Sequence, residues 1–209
     1  MPGKVNVRVI SGNKPDLAVA SLFANHPSYH AMYPEDGKPD LVVFTGGADI
    51  NPSLYGELRN TRTSTDLERD YHDMQAYRIY KDIPKVGICR GAQFLNVMSG
   101  GSLYQHVTDH LKNHEMVDLL TGEFIEVTST HHQMMIPGNN GVVLGIAYEA
   151  KNFFTTGRVI KKDEPRYDTE VVFYPKTKSL CYQPHPEIAN NECKANFFQL
   201  IRAMLQEIK

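Results

Sequence analysis

The sequence predicts an α/β domain on a mostly parallel central sheet, and three observations carry that expectation. Apolar runs of strand length alternate with stretches of helix length through the first hundred residues. The runs Leu41-Val42-Val43-Phe44 and Lys85-Val86-Gly87-Ile88 are almost wholly apolar, as strands covered on both faces must be. The length of 209 residues with 41% hydrophobic content suits one domain with its own core, expected to span residues 1–209.

Taken in order, Val5 to Ile10 is a β-branched run closed by Ser11-Gly12-Asn13, and Leu41 to Phe44 stops at Thr45-Gly46-Gly47. Asp66 to Lys81 carries Met74, Tyr77, Ile79 and Tyr80 among charges and reads as an amphipathic crossover helix. Lys85 to Cys89 is the next strand, entered through Pro84. Gly91 to Met98 is a helix ended by Ser99-Gly100-Gly101. The second half is richer in strands, at Glu123 to Thr128, Gly141 to Tyr148, Glu170 to Tyr174 and Ser179 to Tyr182. Their turns are of the kind that joins antiparallel neighbours. Asn191 to Ile208 closes as a helix with Phe197, Phe198, Leu200, Ile201, Met204 and Leu205 as its core stripe.

Composition excludes several classes. A net charge of -2 provides no broad basic footprint for nucleic acid or anionic membrane. No apolar run approaches the roughly 20 residues of a bilayer span, and the first ten residues lack a signal-peptide core. Cys89, Cys181 and Cys193 form neither a disulfide framework nor a metal-binding pair, so a reducing, cytoplasmic setting is expected.

The chemistry is concentrated in three short segments. Gly87-Ile88-Cys89-Arg90-Gly91 is a glycine-flanked nucleophile pattern between a predicted strand and a predicted helix. Such a turn strains the nucleophile's backbone, and flanking glycines avoid clashes with neighbouring elements. It also sets Cys89 at a helix N-terminus, where the dipole favours thiolate. Arg90 offers its backbone N–H to an oxyanion. Gln183-Pro184-His185-Pro186-Glu187 supplies a base and a carboxylate two residues apart, which in extended chain point the same way. Thr45-Gly46-Gly47-Ala48-Asp49 follows a strand, so the Gly47 N–H can join that of Arg90. All three lie at strand C-termini, where open α/β sheets bind ligands.

With those residues in place, the chain resembles the class I glutamine amidotransferase superfamily over nearly its whole length, and within it the γ-glutamyl hydrolase branch. The motifs are the Cys89 elbow, Asp49-Ile50-Asn51-Pro52-Ser53-Leu54-Tyr55-Gly56, Gly100-Gly101-Ser102-Leu103-Tyr104-Gln105, Ser129-Thr130-His131-His132-Gln133 and the His185 segment. The resemblance implies a flavodoxin-like three-layer sandwich in which Cys89 is the nucleophile, His185 the base and Glu187 its partner. By the same resemblance Gly47 and Arg90 make the oxyanion hole, while Gln93 and His131 contact the substrate's glutamyl group. It implies hydrolysis of a small γ-glutamyl amide through a thioester, without a cofactor. The alternative is a glutaminase subunit feeding ammonia to a partner synthetase; a homodimer also stays open.

Three departures from the family pattern bear on specificity. Pro184 replaces an aromatic residue, Thr128 replaces an asparagine, and Ser11 to Pro39 is short, so a strand or helix of the first crossover is expected to be missing. His106, His110 and His114 recur at helical spacing, yet Val107-Thr108 is poor helical context and no carboxylate or cysteine cluster accompanies them. Solvated or capping histidines, and no metal, are expected.

Overall fold

A computed structural model describes residues 3–33, 36–155, 159–161 and 168–208. The chain runs β1 (Val5–Ile10), α1 (Leu17–Ala24), β2 (Tyr29–Met32), β3 (Leu41–Phe44), α2 (Leu67–Ile79), β4 (Lys85–Ile88) and α3 (Arg90–Met98). It continues through β5 (Ser102–Tyr104), β6 (His106–Val107), β7 (His114–Asp118), β8 (Phe124–Val127), β9 (Met134–Ile136) and β10 (Val142–Ala147). The last elements are β11 (Asn152–Phe154), β12 (Val159–Lys161), β13 (Asp168–Tyr174), β14 (Ser179–Tyr182) and α4 (Asn191–Glu207).

One nine-stranded sheet, ordered β2-β1-β3-β4-β14-β13-β10-β7-β8, organises the molecule. From β2 to β14 neighbouring strands are parallel. From β14 to β8 they are antiparallel, so the expected extra strands of the C-terminal half extend the same sheet and make it mixed. Helices cover both faces. On one side Val19 and Phe23 of α1 and Phe197, Phe198 and Ile201 of α4 pack on Val7, Leu41, Val43, Val86 and Ile88. On the other, Ala76 of α2 and Ala92, Phe94, Leu95 and Val97 of α3 pack on Val42, Phe44, Val172 and Cys181. Alternate residues of β3 feed opposite cores, which is why its sequence shows no polar face.

Side chains fix the helix starts. Asp16, Asp66 and Asn190 accept from the N–H groups of Val19, Arg69 and Cys193 at 3.0, 3.0 and 2.9 Å. The short segment from Ser11 to Pro39 retains both a helix and a strand, contrary to expectation: α1 and β2 lie within it, and β2 forms the sheet edge. The histidines at 106, 110 and 114 do not share a helix. His106 lies in β6, His114 opens β7, and His110 sits in the loop between them. Among the described residues no helix is long and apolar enough to cross a membrane.

Candidate active site

β4 ends at Ile88, and Cys89 takes φ 50 and ψ -110 before α3 begins at Arg90. That backbone region costs a non-glycine residue on the order of 1–3 kcal/mol and persists only where the surroundings enforce it. They do so here. The Cys89 N–H donates to Tyr182 O at 3.0 Å, and its carbonyl accepts from the Gln93 N–H at 3.1 Å. Both elbow glycines are required by space: a methyl on Gly87 would lie 2.2 Å from Gly91 O, and one on Gly91 2.1 Å from Phe44 O. The helix is thereby pressed onto two strands, leaving Cys89 8% exposed.

The imidazole arrives from β14. The Gln183 N–H donates to Glu170 O at 2.8 Å and the His185 N–H to Thr128 O at 3.1 Å, which aims the chain back over the elbow. Thr128 thus acts through its backbone. His185 Nδ1 lies 2.6 Å from Glu187 Oε1. The pair does not form by strand alternation, as the sequence suggested, because Pro186–Ile188 is a 3₁₀ turn that folds the carboxylate back. His185 Nε2 is buried with no nitrogen or oxygen partner among the described residues. Burial alone would lower the His185 pKa. The pull of Cys89, then of Glu187, outweighs it and raises the value to about 10.

The glycine loop closes the site. A methyl on Gly46 would come 3.2 Å from His185 Cε1 and 3.9 Å from Cys89 Cβ, so this residue lies against both groups. Sequence reasoning singled out Gly47, which takes φ 153 one residue further on. Neither the Gly47 nor the Arg90 N–H has an acceptor among the described residues. Behind the loop, Arg69 donates to Gly46 O and Thr45 O, both at 3.2 Å, and pairs with Asp73 at 3.1 Å. The Arg90 guanidinium, 1% exposed, binds Asp73 and, at 2.5 Å, Asp70. Asp70 also accepts from the Asn51 N–H at 3.1 Å. This network joins the residue after the nucleophile to the loop facing it. Sequence reasoning missed it because Arg69, Asp70 and Asp73 look like the solvent face of a crossover helix. The available signal was the i,i+4 spacing of Arg69 and Asp73 beside the one-turn spacing of Asp70 and Asp73.

Cys89, His185, Glu187, Gly46 and Gly47 are brought together; Gln93 and His131 are placed differently from the resemblance. Gln93 is 3% exposed and spends its amide protons inside the protein, on Gln133 O at 3.1 Å and Gln183 Oε1 at 3.2 Å. His131 is 3% exposed, with Nδ1 2.9 Å from Gln133 O, and does not bring its ring to the surface of the cleft. Its neighbour His132 is the accessible one, with Nε2 3.0 Å from Asp49 Oδ1. The chain bends at His132, just before β9, and the two rings lie in different surroundings. A cavity of about 830 Å³ lies elsewhere, between α1, α2 and the end of β1.

Residues 37–152 match the family described as peptidase C26. A glutamine amidotransferase-like protein, YvdE, of Lactococcus lactis subsp. lactis is 43% identical over 72 residues, covering 33% of this chain and 30% of that protein. A Mycobacterium tuberculosis protein, provisionally named a glutamine amidotransferase, is 30% identical over 127 residues, or 49% of this chain and 41% of its own length. The aligned part therefore spans well under half of these relatives. Among solved structures, a Thermoplasma acidophilum protein provisionally named as part of a GMP synthase superposes with a TM-score of 0.66 at 14% identity, over 99% of this chain and 96% of that one. A Thermotoga maritima glutamine amidotransferase gives 0.58 at 16% identity, over 97% and 84%. At such identities these two likenesses concern the fold.

Proposed function

Since the chain belongs to the peptidase C26 family, within the glutamine amidotransferase-like class I superfamily, we propose that it hydrolyses a γ-glutamyl amide through a thioester on Cys89. The observation that carries this reading is the meeting of a strained Cys89 with a His185–Glu187 pair across Gly46. The thiolate attacks the amide carbon, and the oxyanion takes the unengaged N–H groups of Gly47 and Arg90. Collapse breaks the C–N bond, with the His185 imidazolium proton passing to the departing amine. Water, deprotonated by the now neutral His185, then attacks the thioester, and the γ-glutamyl acid leaves as the Cys89 thiolate is restored. Glu187 holds the ring and offsets its positive charge.

The test is turnover by the purified chain on glutamine and a panel of substituted γ-glutamyl amides. Quenched mixtures are examined by intact mass for a γ-glutamyl adduct that Cys89→Ala lacks. Expected are hydrolysis of at least one substituted amide in preference to glutamine, and an adduct on Cys89. Ammonia release seen solely after adding a synthetase would instead establish the glutaminase-subunit reading. Turnover surviving in Cys89→Ala would overturn both.

A further inference from the structure

Behind the candidate active site lies a second cluster that the reaction does not use. His110, His114 and Glu170 have fully buried side chains, and one donor atom from each lies within 4.8 Å of the others. Glu170 Oε1 is 3.6 Å from His110 Nδ1, 3.3 Å from His114 Nε2 and 3.8 Å from His131 Nε2. All three of these nitrogens, and both Glu170 oxygens, lack a hydrogen-bond partner among the described residues.

The outer ring nitrogens explain why. His110 Nε2 lies 3.0 Å from Asp168 Oδ2, His114 Nδ1 3.3 Å from Lys112 O, and His131 Nδ1 2.9 Å from Gln133 O. Each of those partners is an acceptor, so a neutral imidazole at each place carries its proton on the outer nitrogen and turns a lone pair inwards. Three ring nitrogens and the Glu170 carboxylate then converge on one water-excluded point. Such an arrangement is costly unless a cation completes it.

We propose that His110 Nδ1, His114 Nε2 and a Glu170 carboxylate oxygen bind a divalent transition-metal ion, with zinc the best match, as a structural site. A tetrahedral ion with bonds of about 2.0–2.1 Å sets its ligand atoms about 3.4 Å apart. The 3.3 and 3.6 Å separations fit that edge. The outer partners are also the usual ones, since a ligating imidazole donates its other N–H to a carboxylate or a backbone carbonyl. Asp168 is itself held by the Ala150 N–H at 2.7 Å. Two nitrogens and one carboxylate, in a helix-free region joining the loop before β7 to β13, suit zinc better than the oxygen-seeking calcium or magnesium. Full burial denies the ion a substrate, so it acts as a staple across the antiparallel half of the sheet.

The test uses the full chain without a histidine tag. Protein from zinc-supplemented culture, purified without chelator, is expected to hold one equivalent of zinc by elemental mass spectrometry. After stripping, Co²⁺ should give the visible absorption of a protein-bound ion with nitrogen and oxygen ligands. Free Zn²⁺ about 100-fold above Kd should raise Tm by about 5–11 °C. Asp168→Asn, which keeps the shape but loses the carboxylate behind His110, should bind about 10–100-fold more weakly. Glu170→Gln should lose the absorption. His132→Gln, which alters the surface pair with His106, should retain it. A wild-type chain that takes up neither ion, with Tm unmoved, overturns the proposal in favour of a proton-sharing cluster. So does binding lost in His132→Gln but kept in Glu170→Gln, which locates the ion on the surface. Should the variants fail to fold, the wild-type Co²⁺ spectrum and Tm shift decide alone.

Discussion

At the residue scale the site turns on how two side chains hold each other's charge. The His185 pKa of about 10 lies above its unfolded value near 6.5. Its interactions therefore add stability that is complete below about pH 6.5 and is lost as pH rises through about 10. In Cys89→Ala the first of those interactions is gone. The His185 resonance, followed by NMR, is then expected to titrate at lower pH, and stability between pH 6.5 and 10 to vary less than in the wild type. An unmoved titration would break the link between the two residues. Alkylation offers an independent check. Cys181 and Cys193 are fully buried, and burial raises both thiol pKa values, so iodoacetamide should label Cys89 first. Peptide mapping after brief exposure settles the order. Gly46→Ala tests the contact between loop and imidazole, because its methyl would crowd His185 at 3.2 Å. Turnover should fall about 10–100-fold, as when a reacting group is shifted by a fraction of an ångström to an ångström, while Tm moves little. A fully active variant would place the working position of His185 elsewhere.

At the element scale, stability and chemistry share the elbow and the helix behind it. Asp73→Ala leaves the Arg90 guanidinium buried with one carboxylate fewer and frees Arg69 from its anchor. Denaturant unfolding should report a loss of about 3–5 kcal/mol, and a loss under about 1 kcal/mol would mean the network is not stabilising. Much of the framework was legible in the sequence. β3, β4, β13, β14, α2, α3 and α4 all follow from apolar runs or periodicity within a few residues. The elbow was legible because its glycines have a steric reason visible in the pentapeptide. What stayed hidden has physical causes. β7, His-Glu-Met-Val-Asp, buries His114 and Asp118 beside Met116, so its pattern does not look like a strand facing a core. α1 is short, and β2 is an edge strand whose burial ends after Tyr29. The environment of His110 and His114 was invisible because Asp168 and Glu170, which complete it, lie more than fifty residues away in the sequence.

At the scale of the whole molecule, the sheet divides into a parallel half carrying the elbow and an antiparallel half carrying the buried histidines. β3, β4 and β14 are buried at every residue, whereas β8 alternates between exposed and buried positions at the far edge. Amide exchange followed by mass spectrometry should therefore be slowest in residues 41–44, 85–88 and 179–182 and faster in 29–32 and 124–127. The reverse order would show that the stable unit is the antiparallel half. The position of β14 has a consequence for how the protein is made. It pairs with β4 on one side and β13 on the other, yet follows both in the sequence. Until β14 is made, β4 and β13 have no strand to join them, and the strand that does so is also the one that leads to His185. A chain that ends before residue 179 would therefore hold Cys89 without the segment that carries His185 and Glu187.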